Sequence, residues 1–152
     1  MLEFFVINKL RYLACIYVLL SVVNVFAEQL ISTEEAKLPA APAPLNTRGI
    51  ARGPAIKIVS PNAMASEIKG PFDLKVLFES HGGQKINPQT VKVTYLKSTD
   101  IDLTPRLAGA ISDKGIDFQK AEVPPGTHSI KITVKDVEGR ESHTVLNLLV
   151  AQ

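Results

Sequence analysis

The last quarter of the chain, Gly126 to Gln152, constrains the fold more than any other stretch. Its turn and its apolar pattern each specify a register, and the two agree. Ile130, Ile132 and Val134 alternate with Ser129, Lys131, Thr133 and Lys135, the two-residue period of a strand with one buried face. Asp136-Val137-Glu138-Gly139 interrupts the alternation. Asp at the head of a turn bonds its own backbone two residues on, and Gly supplies the positive φ that closes a three-residue hairpin loop with a bulge. With Val137 to Gly139 as the loop, Asp136 faces Arg140, and Val134, Ile132 and Ile130 face Ser142, Thr144 and Leu146. Even-numbered positions then point inward on both strands, and Leu148 and Val150 continue that face. A slip of one residue would turn every one of them to water, so the register is strongly specified.

Ahead of the hairpin, apolar alternation and turn signals recur at intervals. Ile56 and Ile58, ended by Ser60-Pro61-Asn62, form a first strand. Phe72, Leu74, Val76 and Phe78 form a second, opened by Pro71 where a missing N–H does little harm and closed by His81-Gly82-Gly83. Ile86 to Thr90 reads as one helical turn, with Asn87 as cap and Pro88 as its first residue. Val91, Val93 and Tyr95 make a third strand, with Lys92, Thr94 and Lys97 toward water. In Ser98 to Gly115 the pattern is weakest: Ile101 and Leu103 suit a short strand, and Thr104-Pro105 a cap followed by a helix-opening proline. Ile116 and Phe118 restart the alternation, and Glu122 to Gly126 is a stiff corner into the hairpin. Many short alternating strands without a long helical period argue an antiparallel sandwich over a parallel α/β sheet.

Pro124 to Asp136 followed by Glu138-Gly139-Arg140 resembles the "Pro-Gly-x-His-x-Ile … Val-x-Asp-x-x-Gly" ending of bacterial immunoglobulin-like and cadherin-like extracellular modules. Residues 55–80 are similar to the way such modules open. The resemblance covers residues 55–152 and implies an all-β, immunoglobulin-like antiparallel β-sandwich of about seven strands. It also implies a spacer, adhesion or partner-binding role, among which fold analogy alone does not choose. The chain departs from the antibody pattern: it has no Cys…Trp…Cys framework and no tyrosine near the start of the sixth strand.

The beginning of the chain reads as a leader. Lys9 and Arg11 precede sixteen uncharged residues, Tyr12 to Ala27, ending in Val25-Phe26-Ala27. A basic region, an apolar run and a small exit residue are the parts of a secretory signal. The run falls short of the ~20 residues of a spanning helix. Residues 1–27 are therefore expected to be a signal peptide cleaved after Ala27, which makes the protein periplasmic or secreted; an uncleaved anchor is the alternative, and only then does the chain touch membrane. The sole cysteine, Cys15, leaves with the leader, so no disulfide is expected despite an oxidising destination. Lys9, Arg11 and Glu3 leave too, lowering the net charge from +2 to +1. Basic and acidic residues alternate, and nothing points to nucleic acid. Residues 28–54 read as a flexible linker. Ser32 or Thr33 with Glu35 suits a short helix start, but apolar residues are few, and four prolines follow between Leu38 and Pro54. The alternative is a short edge strand around Ile50.

No constellation supports chemistry. His128 lies in the inward register and His143 on the opposite face, while His81 sits in a glycine loop, so the three do not share an ion by spacing. Asp100, Asp102, Asp113 and Asp117 would bind calcium only if the 98–115 connection folded back on itself, since calcium takes about six to eight oxygens; turn capping by Asp113 and Asp136 is the ordinary role. No carboxylate pair, Gly-x-Ser-x-Gly elbow or phosphate loop is present, and there is no Trp on which to stack sugars. No cofactor is expected. Val145 and Leu149 are apolar on the outer face of the last strand, where they are candidate partner contacts. The reading is a non-enzymatic exported module that binds another protein or an envelope component; the alternative is a small periplasmic ligand or metal-ion carrier.

Overall fold

The structure, a computed structural model, describes residues 27–42, 52–62 and 67–151. The leader, apart from Ala27, and the expected edge strand around Ile50 lie outside the described residues. Among those described, the strands are β1 (Glu28–Gln29), β2 (Ala55–Ser60), β3 (Phe72–Glu79), β4 (Ile86–Tyr95), β5 (Ile101–Asp102), β6 (Ile111–Ser112), β7 (Gly115–Glu122), β8 (Gly126–Asp136) and β9 (Glu141–Val150). A five-residue helix, α1 (Thr33–Lys37), follows β1, and a 3-10 turn spans Thr104–Ala110.

Two sheets result, and the protein is an all-β sandwich. One runs β1-β7-β3-β2, and the other β5-β4-β8-β9. Strand β7 gives one edge to β3 and the other to both β6, at Gly115 and Ile116, and β1, at Ala121 and Glu122. After β2 the chain passes a cis Ser60–Pro61 peptide, and Ile68 then runs parallel to Val150. The core is the inward alternation the sequence predicts. Leu74, Val76, Phe78, Ile116 and Phe118 of one sheet face Val91, Val93, Tyr95, Ile130, Ile132, Val134, Leu146 and Leu148 of the other, all buried.

The terminal hairpin has the expected register. Ile130 pairs with Leu146, Ile132 with Thr144 and Val134 with Ser142. Asp136 N donates to Arg140 O at 3.2 Å, Gly139 N donates to Asp136 O at 3.0 Å, and Gly139 has φ of 79°. The Asp136 carboxylate accepts from the N–H groups of Glu138 (2.9 Å) and Arg140 (3.0 Å) and from Arg140 Nε (2.6 Å). Burial pushes this carboxyl up, but those donors together outweigh it and hold it below the usual carboxylate range.

Four expectations need correction. Residues 86–90 are not a helical turn but the first half of β4. Ile86 and Asn87 pair with Asp136 and Lys135, and the register then jumps to Lys92 opposite Thr133. The surplus residues form a bulge in which Asn87 Oδ1 accepts from Gln89 N (3.1 Å) and Thr90 Oγ1 bonds the Lys135 backbone. Asn87 makes the local bond a cap would make, but β8 is long enough to hold the segment extended. Thr94 and Lys97 do not face water: they are 5% and 8% exposed. Thr104 does not cap the 3-10 turn; its hydroxyl accepts from Val93 N at 3.0 Å, tying the turn to β4.

The fourth correction concerns the segment read as a flexible linker. Residues 27–42 form an arm folded onto one end of the sandwich. Leu30 and Ile31 are completely buried, Leu30 N donates to Glu122 O (3.0 Å), and Ser98 N donates to Pro39 O (2.8 Å). Two apolar side chains suffice because they enter a core that already exists. Near Pro54 the chain is also close-packed: a Cβ on Gly53 would lie 2.7 Å from Ser142 Oγ, so this crossing admits only glycine. Ile31→Ala is expected to lower the unfolding free energy by about 2–5 kcal/mol, whereas Val137→Ala, in the exposed hairpin loop, changes it by less than about 0.5 kcal/mol. Urea denaturation reads both; equal midpoints for Ile31→Ala and wild type would remove the arm from the core.

Candidate functional site

The polar side chains that matter most lie where the arm meets the two sheets. Helix α1 starts with a capping box: Ser32 Oγ accepts from Glu35 N (3.2 Å), and Glu35 Oε2 accepts from Ser32 N (2.8 Å). The same carboxylate is gripped by Arg106 of the 3-10 turn, Nη1 to Oε2 at 2.8 Å and Nη2 to Oε1 at 2.6 Å. Arg106 Nη1 also donates to Leu30 O at 2.7 Å. A planar fork meeting a carboxylate in two places fixes direction as well as distance. The Arg106 guanidinium holds Glu35 down to about 2 against the upward push of burial, and Ser32 assists through its N–H and hydroxyl.

On the other sheet, Tyr95 of β4 and His128 of β8 are both buried, at 0% and 2% exposure. The Tyr95 hydroxyl lies 2.7 Å from His128 Nδ1, and His128 Nε2 lies 2.8 Å from Pro124 O. A carbonyl only accepts, so Nε2 carries the ring proton; Nδ1 of the neutral ring is then the acceptor for the tyrosine hydroxyl. The Lys97 ammonium stands 5.1 Å from the centre of the Tyr95 ring and donates to Ala36 O of the arm at 2.8 Å. Arm, β4 and the start of β8 thus form one connected polar cluster.

The residues singled out in the sequence fall elsewhere. Val145 is half-buried and Leu149 is 47% exposed, both on the outer face of β9. Opposite them on β8 stand Lys131 and Thr127. The four aspartates fall in two places, Asp100 and Asp102 at β5 and Asp113 and Asp117 at the β6–β7 hairpin. Asp102 is bonded by Thr104, whose hydroxyl and N–H (2.9 Å) hold it below its usual range, and Asp117 pairs with Lys75 at 3.3 Å. Asp100 and Asp113 are exposed. His81 and His143 are also exposed, away from the buried His128. Among the described residues, no three His, Cys, Asp or Glu side chains come together to hold a metal ion, and no helix is long and apolar enough to cross a membrane.

Among the described residues, hollows open at the surface beside these elements. One, of about 340 Å³, follows the β7 edge between β1 and β6, beside Glu28, Arg106, Asp117 and Gln119. The other, of about 290 Å³, lies between the β4 bulge and the 3-10 turn, beside Gln89, Val91 and Ala108. In the first, Arg106 is bonded to Glu35 and Asp117 is paired with Lys75.

The Ser32-x-x-Glu35 spacing was the available signal for the arm, since it is a capping box directly after the apolar pair Leu30-Ile31. Arg106, Lys97 and the Tyr95–His128 contact carry no comparable signal, because each joins residues 33 or more positions apart. Comparison with protein-family models, with curated proteins and with solved structures found no match to this chain.

The Glu35–Arg106 clasp generates a pH dependence. Its carboxyl is lowered on folding, so its contribution is complete above the ordinary glutamate range and is lost as the pH falls toward about 2. Glu35→Gln is expected to cost about 1–3 kcal/mol at neutral pH. In thermal melts the variant and the wild type should converge as the medium is acidified through that range; a gap that persists at the acid end would mean the ion pair is not its source.

Proposed function

We propose that this protein is an exported immunoglobulin-like module that acts by binding another protein or a component of the cell envelope, without catalysing a reaction. Strand order supports the fold assignment. Strands β2, β3, β7 and β6 take the places of A, B, E and D, and β5, β4, β8 and β9 those of C′, C, F and G. The move of the chain from pairing with β3 to running beside Val150 fits a first strand shared between the two sheets. Export rests on the leader, Lys9 and Arg11 followed by the apolar run to Ala27. Among the described residues the first strand, β1, starts at Glu28, directly after the expected cleavage point.

The observation that carries the binding role is Leu149, a large apolar side chain 47% exposed on the outer face of β9, with Val145 half-buried on the same face. Lys131 and Thr127 border them on β8, giving the apolar centre and polar margin typical of a protein contact. A photo-crosslinking residue at position 149, introduced in the native host, is expected to form one dominant adduct with a protein or envelope component, and one at position 77, on the opposite sheet, is not. Leu149→Asp should abolish that association while leaving the melting temperature within about 2 °C of wild type, as surface substitutions do. Equal adduct yields at positions 149 and 77 would end this reading.

A further inference from the structure

We propose that the buried Tyr95–His128 pair is an acid-sensitive latch that controls how tightly the second half of the arm, residues 36–40, is held against the sandwich. The argument starts from hydrogen-bond valence. In the neutral ring every polar atom has a partner of the right kind: Nε2–H donates to Pro124 O, and Nδ1 accepts from the Tyr95 hydroxyl. A second ring proton must sit on Nδ1. It then points at the tyrosine oxygen, and the tyrosine proton that occupied the contact has to find another acceptor in a buried site. The positive ring is also poorly placed. Across the hairpin it faces Leu148, on its own corner only the Pro124 carbonyl bonds it, and the charge acting on it is the like charge of Lys97. Burial pushes the ring's pKa down, the Pro124 carbonyl pulls it up, and Lys97 adds to the downward push; it lies below the ordinary histidine value.

The arm is coupled to this pair through Tyr95. Tyr95, whose hydroxyl has to be re-partnered, carries the ring under the Lys97 ammonium, and that ammonium holds Ala36 O. Next to it, Ser98 N holds Pro39 O, and Ala40 bridges Lys97. The first half of the arm is held differently, by the Glu35–Arg106 clasp and the buried Leu30 and Ile31. Glu35 stays charged down to about 2, so mild acid leaves that half in place. Opening therefore starts at Ala36–Ala40 and spares Leu30 and Ile31. The sign is fixed by the direction of the shift: the open state takes up the ring proton more readily, so the closed state is fully favoured above about pH 6.5 and loses ground below it.

Hydrogen exchange of the full chain, expressed as protection relative to the intrinsic rate, tests this. From about pH 6.5 downward, protection at the amides of Ala36, Lys37, Leu38 and Ala40 and of residues 96–98 is expected to fall by up to about tenfold per pH unit, while the amides of Leu30, Ile31 and β3 keep theirs. His128→Gln, whose side-chain amide still offers an N–H toward Pro124 but takes up no proton, should abolish the fall. If that variant does not fold, nitrogen NMR of the wild-type ring decides. The ring should carry its proton on Nε2 at neutral pH, and its titration midpoint should lie below the pH at which protection begins to fall, at the acid end of that fall. A pH-independent arm, the same fall in a folded His128→Gln, a proton on Nδ1 at neutral pH, or a ring that titrates above the pH at which protection begins to fall would each overturn the latch.

Discussion

The register of β8 against β9 depends on the Asp136 carboxylate. It accepts two backbone N–H groups of the turn and the Arg140 side chain, and Arg140 Nη2 reaches on to His81 O, in the turn after β3. With the turn held, the ten residue pairs from Lys135–Glu141 to Gly126–Val150 follow in order. Because the strand period is two, that single register sends Ile130, Ile132, Val134, Leu146 and Leu148 into the same interior. Strand β4 joins the other edge of β8, and β3 with β7 close the sandwich over them. The described domain holds no cysteine, so this burial and the polar contacts at its margins hold the sheets together.

A sandwich has two open ends, and here one of them is closed by the arm. It touches Glu122 at the end of β7, Arg106 in the 3-10 turn, and Lys97 and Ser98 beyond β4, so it ties both sheets to the connection between them. The charged groups involved are not ordinary surface pairs. The Glu35 side chain is only 19% exposed, and Lys97 is buried with its ammonium between a carbonyl and an aromatic ring. Most of the remaining ion pairs, such as Lys57–Glu79 and Lys37–Glu34, are well exposed and contribute little to stability. Polar chemistry in this protein is thus concentrated where tertiary contacts meet and is used there for closure. Large apolar side chains such as Val59, Val137 and Leu149 lie away from this closure and remain exposed.

How far the sequence could be read follows from how local each cause is. The hairpin, β3 and β7 were legible because turn chemistry and two-residue alternation act over a few positions, and both pointed the same way. Residues 86–90 were misread because Asn87-Pro88 has the local chemistry of a helix start, and only pairing with β8, some 45 residues away, holds it extended. The burial of Lys97 is illegible for the same reason: nothing near it in sequence announces a carbonyl from position 36. The arm carried a readable capping box, but Leu30 and Ile31 have value only against a core built by later segments.

The sequence by itself therefore determined the class of fold, the register of its last hairpin and the inward face of its long strands. These are settled by the stereochemistry of neighbouring residues and by the cost of turning an apolar face to water. Tertiary structure alone decided that the early segment is part of the domain, that β4 is lengthened through a bulge, and that Tyr95, Lys97 and His128 form one cluster with the arm. Each of those outcomes depends on hydrogen bonds and buried surface between residues far apart in the chain, and their free energy exists only once the two sheets have come together.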